Sequence, residues 1–337
     1  MLNVITGGAG FIGSHLTEHL LAAGEEVVVL DDFSTGTMAN LAHLRRSRSL
    51  HVVTGSVLDE LLVRSVVRGS DRVFHLAAAV GVRRIVEHPL DGLRTNLRGT
   101  ENVLEAAAEN DVETLVVSTS EVYGKNTSDA LREDADHILG SPLVARWSYA
   151  TAKAIDEAFA IAYLKEYGLP VRIVRLFNTV GPRQTGRYGM VLPSLVGQAL
   201  RGEPLTVFGD GRQTRCFTSV RDIVPAVARI AASPETVGRA VNLGGAEEIS
   251  ILALAERVLS VTGSDSPIVL VPYAEAYGEG YEDMRRRVPD NSLARELVGY
   301  SPRVGIDEMI RDVVAGLAEP GLARADTGPA RAMAGGR

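Results

Sequence analysis

The chain has 337 residues, of which 45% are hydrophobic, 23% charged and 5% aromatic, enough for about two domains or one large α/β unit with an appendage. A net charge of −7, from 35 basic and 42 acidic residues, argues against a nucleic-acid or anionic-membrane surface. The single cysteine, Cys216, excludes an internal disulfide framework and a multi-cysteine metal site and fits a reducing, cytoplasmic setting.

From the start, short apolar runs alternate with helical patterns. Leu2 to Thr6 reads as a strand rather than a secretory leader, and Gly13 to Ala23 as a helix. Strands are expected at Val27 to Leu30, His51 to Val53, Val73 to Leu76 and Thr114 to Ser118, with a helix from Arg94 to Asn110. Ser148 to Tyr167 is a long helix whose Ile155, Ala158, Phe159, Ala162 and Leu164 suggest a broad apolar face. Gly168-Leu169-Pro170 ends it, and Val171 to Phe177 is another strand. Continuously apolar strands between helices predict an α/β fold, a Rossmann-type doubly wound parallel sheet covered on both faces. After Asn178 the texture turns to Gly, Pro and Arg-rich loops, the material of a smaller substrate-binding region at the carboxyl edge of the sheet. No apolar run approaches a membrane span. Pro320 to Arg337 lacks apolar periodicity, and a mobile tail is expected there.

Thr6-Gly7-Gly8-Ala9-Gly10-Phe11-Ile12-Gly13 follows a strand and opens a helix. Glycines at 7, 10 and 13 permit a tight turn and close backbone approach to a pyrophosphate at the helix N-terminus. The next strand ends in Asp31, 18 residues past Gly13. A carboxylate there accepts hydrogen bonds from the adenosine ribose hydroxyls and repels a 2′-phosphate, which favours NAD over NADP.

Tyr149 and Lys153 share one helix face at i, i+4 spacing. Chance placement of nine tyrosines and three lysines gives about 0.08 such pairs. An ammonium, with a positive nicotinamide beside it, stabilises phenolate and is expected to lower the Tyr149 pKa, so that the phenol can take a proton from a substrate hydroxyl. Of the three lysines, Lys153 has the role that an arginine would fill badly, a compact ammonium within reach of a phenolate and a ribose. Thr119 and Ser120 place hydroxyls at the end of a strand, Thr119 facing the reacting oxygen.

These segments, with His75-Leu76-Ala77-Ala78, Arg175-Leu176-Phe177-Asn178-Thr179-Val180-Gly181-Pro182-Arg183 and Gly202 to Arg215, resemble the extended short-chain dehydrogenases/reductases that act on nucleotide sugars, over Leu2 to about Leu317. The resemblance implies bound NAD, contacted by Gly7, Gly10, Phe11, Ile12, Gly13, Asp31, Asp32, Phe33, Ser34, Gly36, Ser56, Val57, Leu76, Ala77, Ala78, Tyr149, Lys153, Phe177 and Val180. It implies a UDP-sugar substrate contacted by Asn178, Arg183, Arg187, Val191, Phe208, Gln213, Arg215 and Arg287. It places the NAD domain at 1–178 plus about 216–244, and the substrate region at 179–215 plus about 245–317. A homodimer is implied through a four-helix bundle of Arg94 to Asn110 and Ser148 to Tyr167, whose small faces (Ala106, Ala107, Ala108; Ala150, Ala154, Ala158) permit close approach.

Members of that family oxidise the sugar C4 hydroxyl and differ in the chemistry after that step. Dehydratases carry Asp-Glu after the threonine; this chain has Thr119-Ser120-Glu121, which is most similar to UDP-glucuronate decarboxylases. A C4 ketone makes the C6 carboxylate a β-keto acid, and Glu121 beside C5 would manage the proton there or position a water. Arg287, in Arg285-Arg286-Arg287-Val288-Pro289-Asp290, aligns with an arginine that faces the sugar carboxylate. A 4-epimerase is the alternative, a 4,6-dehydratase the third. Two segments depart from the pattern: Gly55-Ser56-Val57 has serine where an aspartate meets adenine, and Ala79-Val80-Gly81-Val82-Arg83-Arg84 lacks the Pro and aromatic residues usual in the sugar pocket. His15-Leu16-Thr17-Glu18-His19 fits a metal-binding pattern, but lies on the helix assigned to the dinucleotide and has no third ligand, so no metal is expected.

Overall fold

The computed structural model describes residues 1–81, 89–186, 189–277 and 282–318. Arg187, the Val82 to Arg84 segment and the expected mobile tail therefore lie outside the described residues. The chain order begins β1 (Leu2–Thr6), α1 (Phe11–Ala22), β2 (Glu26–Asp31), β3 (Leu50–Thr54), α2 (Glu60–Val67), β4 (Arg72–His75), α3 (Pro89–Glu109), β5 (Glu113–Thr119), α4 (Ser148–Tyr167) and β6 (Val171–Leu176). It continues with β7 (Thr179–Val180), α5 (Val191–Leu200), β8 (Leu205–Phe208), β9 (Thr214–Cys216), β10 (Thr218–Ser219), α6 (Val220–Ala232) and β11 (Ala240–Leu243). Last come β12 (Glu248–Ser250), α7 (Ile251–Thr262), β13 (Ile268–Val271), α8 (Tyr273–Tyr277), β14 (Arg286–Arg287), α9 (Ser292–Val298) and α10 (Ile306–Ala318).

Seven parallel strands form the main sheet in the order β11-β6-β5-β4-β1-β2-β3. Such strands are covered on both faces, which is why β6 is buried at every position, its Arg172 and Arg175 included. One core packs α1, α6 and α9 under the sheet through Leu16, Ile223, Val227 and Ala294; the other packs α2, α3 and α4 through Val63, Val103, Ala107 and Ala160. A third core, with Leu195, Leu254, Ile310 and Val313, builds the smaller lobe. Strand order reverses between β1 and β4, and the crevice outside their carboxyl ends is where a doubly wound sheet receives a ligand.

Local signals fix the element ends. Asp59 caps α2 by accepting from the Leu62 amide, and Ser250 caps α7 by accepting from Ala253. Gly168 stops α4 in the left-handed region at φ 73°. Helix α3 begins at Pro89, a full turn before the expected Arg94, because proline suits the first turn.

Helix α4 departs from its expected face. Ile155 is 39% exposed, Ala158 is exposed and Phe159 half-buried, whereas Lys153, Asp156 and Glu157 are buried with Ala150, Ala152 and Ala160. The helix turns its charged stripe inward because that stripe has partners. Glu157 accepts from Ser118 Oγ (2.5 Å) and from Arg175 Nη2 (2.7 Å) of β6, and a buried charge is stable when paired and hydrogen-bonded. Ala106, Ala107 and Ala150 are likewise fully buried inside the subunit, so they do not form a surface for close approach of a second copy.

Candidate active site

A cavity of about 1530 Å³ runs along the carboxyl ends of the strands and into the smaller lobe. It is lined at one end by the glycine turn and Asp31, in the middle by Thr119, Ser120, Glu121 and Tyr149, and at the other end by Phe208, Gln213, Arg215 and Arg287. The turn needs its glycines. A Cβ on Gly13 would meet the Gly7 carbonyl oxygen at 2.2 Å, and Gly7 lies at φ +72° with its missing Cβ 2.8 Å from the Ala77 amide. Gly10 caps α1 and offers no side chain to the free amides there, which leaves the positive end of the helix to an anion.

Asp31 is buried and braces the turn as well as facing the cavity: Oδ2 accepts from the Ala9 amide (2.9 Å) and Oδ1 from the Phe33 amide (2.8 Å). Burial raises its pKa, with those amides opposing. Phe33 adopts φ 57°, a left-handed conformation rare for an aromatic residue, and lines the cavity with Asp32, Ser34 and Gly36. Ile12, Leu76, Ala77, Ala78, Phe177 and Val180 line it too. This lining fits a dinucleotide.

Ser56 is turned elsewhere. Its hydroxyl accepts from the Leu58 amide at 3.2 Å, and Val57, not Ser56, lines the cavity. The Val57 carbonyl is taken by Asn102 Nδ2 at 2.9 Å. Arg183 also differs from expectation. It sits at φ 68° and sends its guanidinium to Glu18 Oε2 (2.6 Å) and Ser14 Oγ (3.4 Å) of α1, at the dinucleotide end rather than against the sugar. Glu18 pairs with His43 as well, and His15 Nε2 meets the Pro182 carbonyl. The His15–Glu18–His19 pattern is thus absorbed by a lobe contact; no cluster of three or more potential metal ligands occurs among the described residues.

Tyr149 lies in the first turn of α4. Burial, Glu121 and Asp156 raise its pKa above the ordinary phenol value, while Arg146 and Arg287 oppose them. The expected lowering is not what the protein alone provides, because burial outweighs the neighbouring cations; the Lys153 ammonium is bound by Asp156 Oδ2 at 2.8 Å. Thr119 Oγ1 accepts from the Glu121 amide (3.2 Å), which leaves its own proton to donate into the cavity.

The end of the cavity away from the glycine turn is a cationic cluster. Arg287 of β14 stands in register beside Arg215 of β9. Arg287 Nη2 donates to Asn178 Oδ1 (2.7 Å), and its Nη1 lies 3.4 Å from both Ser120 Oγ and Glu121 Oε1. Its Nε is buried without a hydrogen-bond partner among the described residues. Arg285 is exposed, and Arg286 pairs with Glu248, so one arginine of the three points inward. Arg215 Nη2 donates to Asp283 Oδ2 (3.0 Å), as does the Tyr273 hydroxyl (3.2 Å). Asn178 Nδ2 is directed at the Cys216 carbonyl, Gln213 Nε2 at the Phe208 carbonyl, and Val191 lines the cavity at the start of α5.

Arg146 completes the cluster, and the sequence reading missed it. It is 2% exposed, lines the cavity and donates from Nη1 to Glu121 Oε2 at 2.5 Å. Its spacing of three from Tyr149 was the available signal, obscured because Arg146 sits in a 3-10 turn, Ala145–Trp147, ahead of α4. Burial works to raise the Glu121 pKa, but Arg146, Arg287 and Arg215 outweigh it and hold the carboxyl below the usual range. Among the described residues, Glu121 and Asp283 are the carboxylates paired with Arg146, Arg215 and Arg287.

Residues 4–313 match the family model described as GDP-mannose 4,6 dehydratase. The chain is 40% identical to a UDP-N-acetyl-alpha-D-glucosaminuronate decarboxylase of Bacillus cytotoxicus, over 92% of this chain and 96% of the relative. It is 36% identical to UDP-glucuronic acid decarboxylase 1 of Danio rerio, over 92% of this chain and 71% of that one. Among solved structures, a UDP-glucuronic acid 4-epimerase from Bacillus cereus, in complex with UDP-glucuronic acid and NAD, superposes with a TM-score of 0.85 at 29% identity, covering 94% of this chain and 99% of that one.

Proposed function

Because the chain belongs to the GDP-mannose 4,6-dehydratase family, within the extended short-chain dehydrogenases/reductases, we propose that it is an NAD-dependent UDP-glucuronate decarboxylase that forms UDP-xylose. The observation that carries this reading is Arg287 in the buried cluster beside Tyr149, whose Nε has no hydrogen-bond partner among the described residues. A buried cation is costly unless a counter-charge completes it, and a uronate carboxylate supplies that charge in the bidentate form that arginine matches.

The glycine turn, Asp31 and the β4 end would hold NAD, which would supply the acceptor and later the donor of the C4 hydride. Tyr149 takes the C4 hydroxyl proton, with the Thr119 hydroxyl donating to the same oxygen. The C4 ketone then accepts the electron pair released when the C5–C6 bond breaks, so carbon dioxide leaves and an enolate remains. Glu121, ionised between Arg146 and Arg287, orients a water whose proton goes to C5. Tyr149 returns its proton to O4 as the carbon is reduced, so the overall reaction consumes one proton and no cofactor.

The 40% identity and near-complete coverage of the glucosaminuronate relative favour a second reading, UDP-N-acetylglucosaminuronate as substrate of the same chemistry. Both uronates are incubated separately with the NAD-loaded protein and the products weighed. Loss of the mass of carbon dioxide from one of them supports the proposal and names the substrate. An unchanged mass with inverted C4 identifies an epimerase instead, and no change with either sinks the decarboxylase reading.

We also propose a homodimer through the outward faces of α3 and α4. The exposure of Leu90 (56%) and Ile155 supports it, and scattering mass measurements on Ile155→Asp test it: a monomer is expected, and an unchanged dimer contradicts this surface. A cytoplasmic location agrees with the buried thiol of Cys216. No helix among the described residues is long and apolar enough to cross a membrane.

A further inference from the structure

Tyr149, Lys153 and Asp156 lie in one row on α4. Long side chains on a helix lean toward its N-terminus, so Lys153 leans toward Tyr149 and Asp156 leans back onto Lys153. The Lys153 ammonium donates to Asp156 Oδ2 at 2.8 Å, and the two residues are 2% and 0% exposed. The ammonium is therefore held by a fully buried carboxylate that lies seven residues along the helix from Tyr149.

The surroundings fix this pair in place. His75 of β4 is buried between Thr6 Oγ1 (2.8 Å from Nδ1) and Thr100 Oγ1 (3.0 Å from Nε2), and Thr100 of α3 lies beside the Asp156 carboxyl. Burial and the Lys153 charge push the His75 pKa down to about 3, so the imidazole brings no charge. Around the phenol, the turn after β5 contributes Glu121, the segment before α4 contributes Arg146, and β14 contributes Arg287. On α4 itself, Glu157 also acts on Asp156, but is bound by Arg175. Asp156 is the carboxylate that directly offsets Lys153.

We infer that Asp156 is a positioning residue for the hydride-transfer chemistry: it tethers Lys153 from the C-terminal side and offsets the ammonium that would otherwise act on Tyr149. The phenol of this chain is therefore released at higher pH than a Tyr–Lys pair without the carboxylate would allow. The direction comes from Coulomb's law. Phenolate is disfavoured by a nearby anion and favoured by an uncompensated cation, and Asp156→Asn removes the first while unmasking the second. This inference rests on Tyr149 being the proton acceptor of the proposed reaction.

The test uses two readouts. In the unloaded protein, the ultraviolet absorbance of phenolate is titrated in wild type and in Asp156→Asn, each corrected by the same protein carrying Tyr149→Phe. The Tyr149 midpoint is expected to fall by about one unit or more in the variant. With NAD and substrate, the acid limb of the kcat profile is expected to move down by a similar amount, while KM changes less than threefold. An unmoved or raised Tyr149 midpoint overturns the inference. If Asp156→Asn does not fold, Asp156→Ser carries the same titration with the same two outcomes. The phenolate measurement needs no turnover, so failure of the decarboxylase reading and failure of this inference are separately visible.

Discussion

The two ends of the cavity are built by different means. The dinucleotide end is backbone: a strand, a glycine turn and an uncapped helix start, all within residues 2–22, with Asp31 bracing the turn from the next strand. The sugar end is side chains: Glu121, Arg146, Arg215, Asp283 and Arg287 come from segments up to 166 residues apart and meet only in the folded chain. A backbone site is specified locally and tolerates little volume. A side-chain site is specified by charge balance, so removing one member leaves a buried charge uncompensated.

The strongest blow to this contrast is chemical. Tyr149→Phe is expected to fold and bind NAD but to lose about 10²- to 10⁴-fold in kcat, checked by coupled assay and by NAD fluorescence quenching. At the charge-built end, Arg146→Met leaves Glu121 buried against fewer cations and is expected to cost about 3–5 kcal/mol of stability, read by denaturant unfolding. Its pH dependence gives the sign. Glu121 is depressed in the fold, so its ionisation contributes stability above the ordinary carboxylate range, and that contribution fades as pH falls through the depressed value. Without Arg146, burial gains ground, the pKa rises, and the acid-side loss of stability begins at higher pH.

At the backbone-built end, Gly13→Ala forces a Cβ onto the Gly7 carbonyl. The expected cost is about 1–3 kcal/mol, seen as a lower melting temperature together with weaker NAD binding; a variant that binds NAD normally would show that the turn has slack. Ser56→Ala is the smallest change. Its hydroxyl serves only the Leu58 amide, so NAD affinity is expected to move by less than about 0.5 kcal/mol, and a larger loss would return Ser56 to the adenine site.

The same contrast explains what could be read from the sequence. The glycine turn, Asp31 and the Tyr149–Lys153 spacing are short-range patterns, and the parallel sheet is legible in apolar strands alternating with helices. Arg146 and Asp283 have no such pattern; their partners are distant in sequence. The inner face of α4 departs from expectation for a related reason: periodicity finds apolar stripes, and here the buried stripe carries Lys153, Asp156 and Glu157, each paired with a residue of α4 itself or of another element. Arg183 keeps its motif position, but its guanidinium is claimed by Glu18 across the lobe boundary.

The central claim is that Arg287, beside Tyr149, receives a sugar carboxylate. Calorimetric binding of UDP-glucuronate and UDP-glucose to the NAD-loaded Tyr149→Phe protein, which holds both without turnover, tests it most directly. One charge-assisted contact predicts that the acid binds about 10- to 100-fold more tightly, with the preference lost in a further Arg287→Met change. Equal affinity for the two sugars, or a preference that survives loss of Arg287, would contradict it.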